Sequence, residues 1–150
     1  MSFQEKNFAV TLVNFSLILV YYTLRLLYMI SDGQFNLENV TWLWVTIIIW
    51  SIVVTILATI LTHIVSAIIE AVKTKKEPVM KHIADERDKL IDLKGTKVTY
   101  TVSSLGSFVA MLTFVFGLQA LVMFSLLIFF GLLAQVAGDF SRLWFYRRGF

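Results

Sequence analysis

The sequence predicts an all-α fold: an integral membrane four-helix bundle of two transmembrane hairpins, with a short cytoplasmic amphipathic helix between helices two and three. Three observations predict it. Hydrophobic residues fill 58% of the 150 positions and charged residues only 15%, where a soluble domain has about 45–50% and about 25%. The charges are bunched, which leaves apolar runs of at least about 18 residues, the length signature of membrane-spanning helices. Basic residues cluster in the centre and at the C-terminus and are missing from the two other loops, a topology signal. A single transmembrane domain over residues 1–150 follows.

The first span is expected from about Asn7 to Ile30, enough helix to cross a core of roughly 30 Å. Its leading segment "MSFQEKNF" balances one Lys with one Glu. The apolar run outlasts a signal-peptide core and no small-residue cleavage motif follows, so it reads as a retained helix. The turn "SDGQFNLEN" closes it with Asp, Gly and Asn.

The second span runs from about Val40 to Val72, without proline or glycine. At roughly 50 Å it exceeds the membrane thickness. With Trp42 and Trp44 at one interface, the core ends near His63 and "IVSAIIEAVK" projects beyond it. Residues 98–138 form an apolar run too long for one crossing, so the chain turns at Gly117. The third and fourth spans then cover about 98–116 and 119–143.

Orientation comes from the basic residues. The loop at 73–97 holds Lys73, Lys75, Lys76, Lys81, Arg87, Lys89, Lys94 and Lys97, and the C-terminus holds Arg142, Arg147 and Arg148. The positive-inside rule puts both termini and this loop in the cytoplasm, here of a prokaryotic plasma membrane. Within the loop, Pro78 suits the first turn of a helix, and Val79, Ile83, Leu90 and Leu93 recur at near-helical spacing. Lys81–Asp85 and Asp85–Lys89 are i,i+4 pairs of opposite sign. The segment reads as a surface helix, separated from the third span by Gly95.

"DERDKLIDLKG", Asp85 to Gly95, leads into "TKVTYTVSSLG". This resembles small bacterial and archaeal membrane proteins of unassigned activity, which carry a DERD-x2-I-x2-K-[AG] segment before a membrane hairpin. The resemblance covers the last half of the chain and implies architecture rather than mechanism. The residues themselves allow two readings. Asp85, Glu86 and Asp88, oriented by Arg87, offer oxygen ligands or proton acceptors. Alternatively they pair with neighbouring bases on a solvated face, as charge runs usually do.

Ionisable groups at membrane depth are functional candidates. Arg25 is expected to reach outward to Asp32 or Glu38. His63 and Glu70 share one face of the second helix with Ser66, and Asp139 and Arg142 share a face of the fourth. Together with Arg87, His82 and Tyr100 they form a candidate polar cluster below the inner leaflet. It would be either a His/carboxylate metal or proton site, or a network of Arg142–Asp139 and Arg87–Glu70 ion pairs. Asn14 and Gln135 are candidates for bonds across helices. Ser103 and Ser107 give the third helix a small-residue face.

The absence of cysteine excludes disulfides and thiol chemistry. No metal-ligand or nucleophile–base spacing occurs, so neither a cofactor nor a metal is expected. The expected partners are the lipid bilayer and either a second copy or another membrane protein. Nucleic acid is excluded, because the basic residues serve orientation and carry no groove-reading motif. The leading functional reading is a non-enzymatic membrane scaffold or accessory subunit. The alternatives are a subunit of a small ion, proton or solute transporter or channel, and a lipid-acting enzyme using His63, Glu70, Asp85 and Asp139.

Overall fold

The computed structural model describes residues 3–74 and 86–148, and of these the backbone alone at Phe3, His63, Ser66 and 69–74. The described residues form four helices: α1 (Phe3–Ser31), α2 (Leu37–Thr74), α3 (Glu86–Val115) and α4 (Ala120–Arg148). Each is long and apolar enough to cross a membrane. At 1.5 Å per residue α2, with 38 residues, is about 57 Å long and the others about 43–45 Å.

Both tight turns are made the same way. Gly33 and Gly117 have φ of 69° and 86°, the left-handed region that a Cβ disfavours. Around the first, Gln34 N–H donates to the Met29 carbonyl at 2.9 Å; around the second, Leu118 N–H donates to Thr113 at 3.1 Å. These six-to-one bonds satisfy carbonyls that the end of a helix leaves open. Asn36 then caps α2, its Oδ1 accepting from Asn39 N–H at 2.9 Å.

The helices pack in the order α2, α1, α4, α3, with only slight contact between α2 and α4. The main core lies between α1, α2 and α4, where Ile18, Tyr22, Met29, Val40, Leu43, Ile47 and Leu132 are buried together. Tyr22 is fully enclosed, and its hydroxyl donates to the Ser125 carbonyl at 2.9 Å. All three α2 members of this core lie in its first turns. After Ile47 no described residue of α2 is buried, although Asn14 Nδ2 still donates to Thr55 Oγ1 at 3.3 Å.

Two expectations are corrected. Gly95 does not separate a surface helix from the third span: α3 runs unbroken from Glu86 through Gly95 to Val115. Residues 78–85 of the expected amphipathic helix lie outside the described residues. The small-residue face of α3 is also shifted. Gly106 and Ala110 are buried, while Ser103 and Ser107 are only half-buried. A Cβ on Gly106 would collide with Cβ and Cγ of Phe130 on α4, so the glycine sets how closely these two helices approach.

Gly106→Ala is therefore expected to destabilise the α3–α4 pair by about 1–3 kcal/mol, the usual range for overpacking. The loss is read from unfolding in detergent micelles. Phe130→Ala in the same chain should recover part of it, because residues in contact couple.

Candidate functional site

The polar groups of the bundle converge where the N-terminal turns of α1 and α3 meet the C-terminal turns of α4. Arg142 is the hub. It sits about 9 Å inside the end of α4, its side chain 10% exposed. Its Nε donates to Asp92 Oδ1, its Nη1 to Asp139 Oδ1 and its Nη2 to Thr96 Oγ1, each at 2.9 Å. The ring of Phe8, from α1, lies 5.1 Å from the guanidinium carbon, within cation–π range. One side chain of α4 thus touches both α3 and α1.

Asp139 is nearly closed off, its side chain 2% exposed. Its second oxygen accepts from Gln135 Nε2 at 3.2 Å, and Thr11 of α1 stands beside the same carboxylate. Both carboxylate oxygens therefore have donors, as a buried charge requires. Asp92 is the outer partner, its side chain 55% exposed. The trio carries two carboxylates against one guanidinium, and exposure of Asp92 keeps that excess at the wet edge.

Two glycines make room for this. A Cβ on Gly95 would run into Cγ of Arg142, and a Cβ on Gly138 would meet Oγ1 of Thr99. Gly95 is thus a passage for the Arg142 side chain across α3, a different role from the helix break that its position between charges and oil suggests. One turn further out, Tyr146 Oη donates to Asp88 Oδ1 at 2.7 Å and lies 3.2 Å from the Gln4 side-chain oxygen. The Phe8 ring tilts against Tyr146, with centroids 6.2 Å apart.

Of the residues expected to cluster, Asp139 and Arg142 form the anticipated ion pair. Asp88 joins through Tyr146, and Glu86 and Arg87 are exposed at the start of α3. Asp85 and His82, and the side chains of His63, Ser66 and Glu70, lie outside the described residues, and the Arg87–Glu70 pair with them. Tyr100 is exposed and outside the cluster. Gln135 bonds within α4 rather than across helices. Arg25 is exposed, and among the described residues no salt bridge joins it to Asp32 or Glu38.

Asp92, Thr96, Gly138 and Tyr146 are site residues that the sequence does not single out, and Gly95 is one whose position suggests a helix break instead. Their signal is the four-residue step. Asp88, Asp92 and Thr96 form one stripe of α3, and Gly138, Arg142 and Tyr146 form the facing stripe of α4. Reading 86–97 as the start of a membrane helix brings the first stripe into view.

Chemically, the arrangement is a closed set of charge-assisted hydrogen bonds. Among the described residues no three His, Asp or Glu side chains converge as a metal-ligand group. No protein-family profile matches this chain, and neither a curated protein nor a solved structure does.

Arg142→Leu leaves Asp139 buried without its counter-charge and is expected to cost about 3–5 kcal/mol, the range for breaking a buried pair from one side. Asp92→Asn, at the exposed end, should cost no more than about 1 kcal/mol. Unfolding of the two variants in the same micelles gives the comparison, and equal losses would rule out Arg142–Asp139 as the dominant pair.

Proposed function

We propose that this chain is a small non-enzymatic membrane scaffold or accessory subunit. It is built as two transmembrane hairpins, with both termini and the charged 73–97 segment on the cytoplasmic side of a prokaryotic plasma membrane. It packs with itself or with partner membrane proteins through its helix faces and that charged segment, and belongs with the DERD-segment proteins it resembles.

One observation carries this reading. Arg142 and Asp139 direct their polar side-chain atoms at their own neighbours in the bundle, while α2 presents exposed Ile, Leu, Val and Trp along most of its length. Arg142 fixes α4 to α3 and α1, and Asp139 and Gln135 hold its guanidinium in place from within α4. Association in the membrane rests instead on van der Waals packing of helix faces, and α2 supplies a long one.

The reading is tested by native mass spectrometry of the full chain, extracted gently from its membrane. A defined homo-oligomer or a stoichiometric membrane partner is the expected result. A lone chain, with liposome flux that disappears in Asp139→Asn, would replace the scaffold with the transporter reading. Orientation has its own test, simplified by the absence of native cysteine. A membrane-impermeant maleimide should label Gln34→Cys in intact cells, and Arg148→Cys only after permeabilisation. The reverse pattern would invert the topology.

A further inference from the structure

At the end of the bundle that holds Arg142, the outer seam between α3 and α4 carries two cations seated on two neighbouring aromatic rings. The Arg148 guanidinium carbon lies 4.1 Å from the centroid of the Trp144 ring. Lys94 Nζ lies 5.2 Å from that of Phe145. Phe140 backs the indole, with centroids 6.2 Å apart. Phe140, Trp144 and Arg148 are four residues apart in turn and so form one stripe of α4. Phe145 lies about 100° further round α4 from Trp144, and Lys94 of α3 sits over its ring.

The geometry points to this ledge as a binding site for the phosphodiester of an anionic phospholipid. Depth is the first argument. The apolar run of α4 ends near Leu143, so Trp144 to Arg148 fall where indoles and headgroups share the interface. Charge is the second. At this end α3 and α4 carry Arg87, Lys89, Lys94, Lys97, Arg142, Arg147 and Arg148 against Glu86, Asp88, Asp92 and Asp139, a basic excess, whereas the opposite end of the bundle has Arg25 against Asp32 and Glu38. Basic groups between membrane helices at such a depth recognise anionic headgroups.

The ring faces supply selectivity. A zwitterionic headgroup brings a quaternary ammonium together with its phosphate, and that ammonium is best received on an aromatic face. The faces of Trp144 and Phe145 are already occupied by the protein's own cations. A choline ammonium would therefore meet positive groups already seated on these two rings, while a net negative headgroup is attracted to them. The rings also hold two long side chains in place, which lowers the entropy lost on binding. The site requires that the helices cross a bilayer, and it is independent of whether the chain forms an oligomer.

The test uses the full chain in nanodiscs of equal phosphatidylglycerol and phosphatidylcholine, with lipids retained by the released protein read by native mass spectrometry. Retention should favour phosphatidylglycerol, and K94Q and R148Q should each reduce that preference roughly fivefold. W144L, which keeps every charge, should also reduce it, because the guanidinium loses its seat. R25Q should leave it unchanged. Equal retention of the two lipids would overturn the proposal. So would an R25Q loss as large as that of R148Q, which would mean diffuse attraction to the whole chain. Displacement by soluble glycerol phosphate at the same concentration would assign the site to a free phosphate instead of a lipid. A chain that never enters the nanodisc would refute the membrane reading itself, a result distinct from all of these.

Discussion

A guanidinium set about two turns inside the end of its helix and almost closed off from its surroundings must find acceptors within its own reach. Arg142 meets that requirement with acceptors from two helices and a ring from a third. Much of the local sequence follows from this. Asp139 has to offer an acceptor beside it, Gln135 has to cover the second oxygen, and Gly95 has to be bare so that the side chain can pass. Thr96 and Asp92 have to lie one turn apart on α3, which is possible only if α3 is already helical at Asp92. The constraint therefore reaches back along the chain and makes residues 86–97 part of α3.

The rest of the bundle is held by different means. Lipid tails are as apolar as Leu, so burial of aliphatic side chains gives little driving force between membrane helices, and close packing has to supply it. Tyr22 is the best example. It fills the centre of the α1, α2 and α4 contact and hands its one polar group to the Ser125 carbonyl. Gly106 acts the same way on the other side of α4, letting Phe130 lie against the α3 backbone. Polar bonds close one end of the three-helix row, and tight packing fills its length. α2 is joined at the opposite end through Val40, Leu43 and Ile47, and by Asn14 to Thr55 further along.

The helices were legible because length and hydropathy act over twenty residues at a time and tolerate local error. The turns were legible because Gly33 and Gly117 are the residues that a positive φ demands. The start of α3 was not. Its first three turns contain Glu86, Arg87, Asp88, Lys89, Asp92 and Lys94, a composition that local reasoning assigns to water. What places Asp92 and Thr96 in the bundle is Arg142, fifty and forty-six residues away. Asp139 and Arg142 could be paired from their spacing of three within one helix. Gly95 misled for the same reason that Asp92 was missed: its role is set by a side chain from another helix.

This division between ends bears on how the bundle can move. Where α1, α3 and α4 meet, displacing any one of them breaks charge-assisted bonds that the hydrocarbon cannot replace. At the same end α2 has no buried described residue. Local opening follows contact density, so α2 is the helix whose far half can shift without disturbing the Arg142 network. The three-helix row is the rigid element, and α2 is the one able to repack against a neighbour. Polar fixation at one end is what makes that asymmetry affordable, since the row keeps its register whatever α2 does.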